Sequence, residues 1–132
     1  MFTEQLTAKE AANINALVLA YVGDAVWSLF VRERLAVSSD AKAGQLHKIA
    51  SAEVNAGAQA RLADRVCDLL TEDDHDVFLR GRNAKSHHKA KNQRGDDNRK
   101  ATGMQAVIGY LYLVGRQARV DEILAMAEDR EE

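Results

Sequence analysis

Proline is missing from all 132 residues, so nothing of that kind forces a kink or a stop within a helix. Cysteine occurs once, as Cys67, which excludes an intramolecular disulfide framework. In the periodic run "ARLADRVCDLL" that thiol reads as a small core residue rather than a reactive group. No apolar run approaches the roughly 20 residues a membrane-spanning helix needs. The opening "MFTEQLTAKEAANINALV" carries acids where a secretory signal would carry a basic segment and an apolar core. No signal peptide is therefore expected, and a cytoplasmic location is. Glycine-rich phosphate loops and Ser/His/Asp nucleophile signatures are also missing. His75, His87 and His88 lack zinc-ligand spacing and stand far from Cys67 in sequence, so they read as exposed residues, and His47 reads as a helix-surface or core-edge side chain.

What is present suits one domain spanning 1–132. Apolar residues make up 46% of the chain, enough for a core that needs no staples. The formal net charge of −2 would argue against a polyanionic partner if the charges were spread evenly. They are not. Residues 80–100, "RGRNAKSHHKAKNQRGDDNRK", hold eight Lys or Arg against two Asp, a net of +6 that leaves −8 on the rest. That asymmetry is expected either of an electropositive surface for a polyanion or of a solvated basic loop.

Helical periodicity runs through most of the chain. One helix is expected from near Asn15 to about Leu35, and "SSD" at 38–40 offers caps for a second, "AKAGQLHKIA". A third, "SAEVNAGAQARLADRVCDLL", sets Val54, Ala58, Leu62, Val66 and Leu69 on one stripe. Thr71 with the acids behind it starts a short helix through Phe78 and Leu79. Residues 81–98 read as a polar, basic loop. "KATGMQAVIGYLYLV" and a final amphipathic helix, "QARVDEILAMAED", follow, the latter turning Val120, Ile123, Leu124 and Ala127 inward. "LVLAYV" and "VIGYLYLV" could instead be buried strands, but two isolated strands make a poor sheet. The expected class is all-α.

Asp24 stands alone in the apolar stretch "LAYVGDAVWSLF". An unpaired buried carboxylate is costly, so Asp24 caps a helix, pairs with a cation such as Arg32 or Arg82, or serves chemistry. In a helix, Ala20, Asp24 and Ser28 fall on one line, with Val22, Val26, Trp27 and Phe30 elsewhere on a cylinder expected to be buried on most sides. Segment 101–114 repeats the design, with Thr102, Gln105 and Gly109 as its small or polar line. Two such helices lower the polar cost by turning those lines toward a common cleft, and Gly23 and Gly109 beside them permit close backbone or ligand approach. The apolar excess of the first helix fits either core or an isologous dimer interface.

Four blocks then resemble a known family. "LVLAYVGDAVWSLFVRERL" is similar to the signature helix of the ribonuclease III superfamily in its short form, Mini-ribonuclease III, whose pattern runs L-A-L-A-Y-[IL]-G-D-A. "QLHKIASAEVNAGAQA" resembles the family's L-H-K followed by V-S-A-x-x-Q-A. "LRGRNAKS" is close to R-G-R-N-A-K-S, and "TGMQAVIGYLYL" matches T-A-F-E-A-L-[IL]-G-Y-L-[FY]-L. The blocks occur in order over roughly 15–115, which makes the resemblance specific.

The resemblance implies an all-helical bundle like the ribonuclease III catalytic domain, without a separate double-stranded-RNA-binding domain. It implies a homodimer that cuts double-stranded RNA with Mg²⁺, leaving 5′-phosphate and 3′-hydroxyl ends, in the maturation of ribosomal RNA precursors. By position, Asp24 would be a metal-binding carboxylate. Arg80, Arg82, Asn83 and Lys85 would fall in the family's basic loop and contact RNA, joined by Lys89, Lys91, Arg94 and Arg99 of the same charged block. Gln105 stands where the family has its second metal-binding glutamate, and the preceding "GM" replaces the family's "AF". Ala20, Ser28 and Thr102 stand where related enzymes carry further polar or acidic groups, leaving Asp96 or Asp97 as the acids that could compensate. Gln105 leaves three readings open: a substituted site that traps substrate or metal, a nuclease with weakened metal binding, and a structured-RNA-binding protein that does not cut.

Overall fold

The computed structural model describes residues 4–84 and 93–127, with residues 93 and 94 described in their backbone only. Among these residues there are seven α-helices and no strand: α1 Ala8–Ala12, α2 Ala16–Ser38, α3 Ala43–Glu53, α4 Ala56–Val66, α5 Glu72–Arg82, α6 Gln93–Leu113 and α7 Gln117–Ala125. A single 3-10 turn, Cys67–Leu69, leads from α4 toward α5. The all-α expectation holds.

α6 is the axis of the bundle. Met104, Ala106, Val107, Ile108, Tyr110 and Leu111 are all buried, so its C-terminal half is apolar around nearly its whole circumference. A helix of that kind has to be surrounded. α2, α4 and α5 pack on it, and Val120, Ile123 and Leu124 of α7 join the same core. Burial also lifts the Tyr110 hydroxyl above its ordinary acidity range.

Local chemistry sets most helix ends. α1 begins with a capping box in which the Thr7 hydroxyl accepts from Glu10 N–H at 3.1 Å and the Glu10 carboxylate accepts from Thr7 N–H at 2.9 Å. Asn15 caps α2 through Leu17 N–H (2.8 Å), and Thr71 caps α5 as expected, through Asp74 N–H (3.2 Å). α6 ends in a Schellman turn: Gly115 adopts φ 78°, its N–H bonds Tyr112 O at 3.0 Å, and Arg116 N–H bonds Leu111 O at 2.9 Å.

Three expectations fail for local reasons. The single helix expected over "SAEVNAGAQARLADRVCDLL" is broken at Asn55, whose amide donates back to Ala52 O (2.8 Å) while its oxygen accepts from Ala58 N–H (2.9 Å). One side chain thus ends α3 and starts α4. Of the expected stripe, Leu62 and Val66 are buried, whereas Val54 is a cap and Leu69 an exposed residue of the 3-10 turn. "SSD" does not cap α3, because the Ser39 hydroxyl is taken by Ala41 N–H at 3.1 Å and Lys42 stands at the N-cap without a side-chain bond. The loop expected over 81–98 is shorter, since 81–82 belong to α5 and 93–98 to α6. The polar first turns of α6 are helical because the apolar remainder anchors them and Asp96 pairs with Arg99 one turn on.

The tightest packing is backbone on backbone. A Cβ on Gly23 of α2 would lie 1.8 Å from Gln105 O, and one on Gly109 of α6 would lie 2.0 Å from Leu19 O. No side chain fits there, so the two helices cross at near-minimal separation. Gly23→Ala and Gly109→Ala should each lose about 3 kcal/mol in urea unfolding, through forced separation of the two helices. Gly44→Ala in α3, where a Cβ meets nothing within 4 Å, should instead gain about 0.5–1 kcal/mol.

Candidate active site

The crossing of α2 and α6 brings two predicted site residues together. Asp24 follows Gly23 on α2, and Gln105 precedes the buried run of α6 by one residue. The Gln105 amide nitrogen lies 3.4 Å from Asp24 Oδ1, a weak contact, and donates a full hydrogen bond of 2.9 Å to Gln59 Oε1 on α4. The expected common cleft is therefore real, and helices from three separate stretches of sequence build it.

Asp24 itself is exposed, lies mid-helix and makes no salt bridge among the described residues, with Arg32 and Arg82 included. Neither a cap nor a structural ion pair accounts for it. A hollow of about 260 Å³ opens beside it, lined by Ser28 and Arg32 of α2 and by Ser51 and Val54. A second, of about 340 Å³, adjoins Gln105 and is lined by Gln59, Arg82, Asn98, Arg99 and Thr102. Val54 lines both, so the Asp24–Gln105 contact stands between two open spaces. A larger hollow of about 570 Å³ beneath Trp27 and Phe30 shares no residue with either.

The expected basic contacts divide into several kinds. Arg80 donates to Ala12 O at 2.8 Å and Ile14 O at 2.9 Å, so its guanidinium ties α5 to the link between α1 and α2. Arg82 is exposed, with its Nε bonded to Asn83 Oδ1 at 3.2 Å, and Asn83 is the C-cap of α5. Arg99 pairs with Asp96. Lys85, Lys89, Lys91 and the side chain of Arg94 lie outside the described residues, as do His87 and His88. Lys100 bonds Asp64 of α4 at 2.8 Å, and that hydrogen bond with the Asp64 charge raises its pKa.

The donor set can be tested against a metal. Among the described residues no three His, Cys, Asp or Glu side chains gather to hold one. Asp96 is engaged by Arg99, and neither it nor Asp97 lines the hollows beside the cleft. What remains is one exposed carboxylate, an amide whose nitrogen now faces that carboxylate, and the hydroxyls of Ser28 and Ser51. This suits a hard divalent cation that keeps most of its water, because Mg²⁺ accepts one or two carboxylates and near-octahedral oxygen ligation. Gln105 can contribute to such a shell only through its amide oxygen, and it adds no charge.

Gln59 is the residue that sequence reasoning passed over. It is only 1% exposed, its oxygen accepts from Gln105, and its Nε2 has no partner among the described residues. Two signals pointed to it: it is the glutamine of the block that resembles V-S-A-x-x-Q-A, and it falls three residues before Leu62 on the buried stripe of α4, where an amide has no packing role.

Comparison with known proteins is consistent with this geometry. The ribonuclease III domain family matches residues 17–116. The Mini-ribonuclease 3 of Brevibacillus brevis is 44% identical over 127 residues, covering 96% of this chain and 94% of that protein. The Mini-ribonuclease 3 of Thermoanaerobacter sp. is 40% identical over 125 residues, covering 95% and 88%. A crystal structure of a protein from Fusobacterium nucleatum aligns with a TM-score of 0.78 and 25% identity, over 88% of this chain and 93% of that one. The chain belongs to the ribonuclease III family, within its Mini-ribonuclease 3 branch, and is an enzyme of the endoribonuclease class.

Proposed function

We propose that this chain is a Mg²⁺-dependent endoribonuclease that cuts double-stranded RNA as a homodimer, in the maturation of ribosomal RNA precursors. The observation that carries the reading is the meeting of Asp24 and Gln105 across the α2–α6 crossing, at the edge of open space, with no ion-pair partner for the carboxylate among the described residues. The reading assigns this work to the ribonuclease III domain matched over residues 17–116.

A bound divalent ion would lower the pKa of a water and neutralise charge developing on the phosphate. Asp24 would supply the formal charge that holds such an ion. Gln105, with its amide turned over from the orientation seen here, would offer its oxygen to the ion or to one of its waters. Arg82, Arg99 and Asn83, with Lys85, Lys89, Lys91 and Arg94, meet phosphates of the duplex, while Arg80 acts by fixing α5 against the α1–α2 link. Such contacts set position and salt dependence and leave sequence unread. A-form RNA offers them a shape and its 2′-hydroxyls. Hydrolysis breaks the bond from phosphorus to the 3′ oxygen, giving 5′-phosphate and 3′-hydroxyl ends.

The dimer reading rests on the outer face of α2. Val18, Tyr21 and Leu29 are 51%, 81% and 57% exposed and, with Ala25, recur at helical spacing on one face. The sequence led us to expect this helix buried on most sides, yet in one chain that face is open. A self-complementary apolar stripe about a two-fold axis would cover it and leave Asp24 on the flank. Light scattering should give twice the chain mass for the parent and the single mass for Tyr21→Glu. A parent that remains monomeric at high concentration sinks the dimer.

Gln105 favours a second reading, a family member that holds structured RNA and cuts it weakly or not at all. One pair of variants separates the two. Asp24→Asn should abolish Mg²⁺-dependent cleavage of a duplex precursor while retaining salt-sensitive binding. Gln105→Glu should raise cleavage about tenfold or more, equivalent to about 1.4 kcal/mol of barrier. Cleavage undiminished in Asp24→Asn removes the metal assignment. Binding without cleavage in the parent at any Mg²⁺ or Mn²⁺ concentration establishes the second reading.

A further inference from the structure

We propose that Gln59 is the positioning residue of this site: it holds the side chain at position 105 toward Asp24, and its amide can turn over to serve either a glutamine or a glutamate there. The inference rests on the reading of Asp24 and position 105 as the cation-facing pair.

Packing alone does not explain Gln59. It is 1% exposed and shares its helix face with Ala60, Leu62, Ala63 and Val66, all buried. An apolar side chain of similar volume would fill that place without a polar cost. Instead α4 carries an amide with one half used, by Gln105 Nε2 at 2.9 Å, and one half without a partner among the described residues. An unpartnered buried donor is unfavourable, so its retention points to a role in the contact it makes.

That contact acts on a side chain with three rotatable bonds. Gln105 is only half-buried, and its link to Asp24 is long. The bond to Gln59 holds its amide nitrogen, which also faces Asp24 Oδ1, so its carbonyl oxygen comes to a cation beside Asp24 only when both amides turn over together. A primary amide presents an acceptor on one side and two donors on the other, and half a turn about its last bond exchanges them. With glutamine at 105, Gln59 accepts. With a carboxylate at 105, Gln59 would turn its present orphan donor to that carboxylate, a charge-assisted hydrogen bond. Either way the side chain at 105 is held, and the buried amide explains how both residue types can occupy one position. Partners of this kind behind a metal ligand typically change metal affinity by about 10–100-fold.

The test uses the full chain with Gln59→Leu and Gln59→Glu, and Gln59→Leu repeated in the Gln105→Glu background. The first readout, without metal, is the side-chain amide signal of Gln105 in ¹H–¹⁵N spectra. Gln59→Leu should move that pair of signals to the positions of a freely rotating glutamine and speed its exchange with water, with the backbone signals of α2 and α6 in place. Gln59→Glu retains the acceptor and should keep the signals near their parental positions. The second readout is Mn²⁺ affinity by electron paramagnetic resonance, where Gln59→Leu in the Gln105→Glu background should weaken binding about tenfold. Unchanged Gln105 signals in a folded Gln59→Leu chain overturn the proposal. Should that chain not fold, Gln59→Met, closer in length and flexibility, decides by the same signals. A parent and a Gln105→Glu variant that both fail to bind Mn²⁺ would overturn the metal reading alone, and the amide signals would still decide whether Gln59 holds position 105.

Discussion

The contact between the backbones of α2 and α6 at Gly23 and Gly109 governs the rest of the molecule. Each glycine lies against the main chain of the other helix, so neither position has room for even a methyl group. Helices that cross this closely place the residues next to the crossing within reach of each other. Asp24 adjoins one glycine, and Gln105 precedes the other by one helical turn. Wider separation would part the two side chains, because their contact is already 3.4 Å long. Core and site are therefore not separable in this protein. The packing that buries Leu19, Ile108 and Leu111 also sets the geometry of the cleft.

The charges around the cleft are arranged economically. Among the described residues Asp24 is the single carboxylate at its centre, while arginines of α5 and α6 line the neighbouring hollow. One of the expected basic contacts, Arg80, is spent on holding helices together through two carbonyls. Gln105 beside Asp24 is a neutral amide, so that carboxylate is left as the formal negative charge at the cleft among the described residues. Shape is set by packing and charge by one atom of the side chain, so a neutral amide can stand in the cleft without altering its form.

Much of this was legible in the linear text. Four blocks in order carried the family, helical periodicity carried the fold class, and the polar lines through Asp24 and Gln105 carried the cleft. Where reading failed, the cause was local competition or missing partners. Asn55 bonds backbone on both sides of itself and splits a helix that periodicity joined. The first turns of α6 are polar enough to pass for loop, and only their continuity with a buried segment makes them helical. The outer face of α2 is as apolar as its inner one, so composition could not say which side α6 would cover.

The sequence by itself determined the class of fold, the family, the asymmetry of charge and the identities of Asp24 and Gln105. These depend on spacing along the chain, or on residue type alone. Tertiary structure decided that Asp24 is exposed and without an ion pair among the described residues, that Arg80 is a tether, and that Gln59 stands behind Gln105. Each of these depends on distances between residues tens of positions apart, and such distances exist only once the helices have packed.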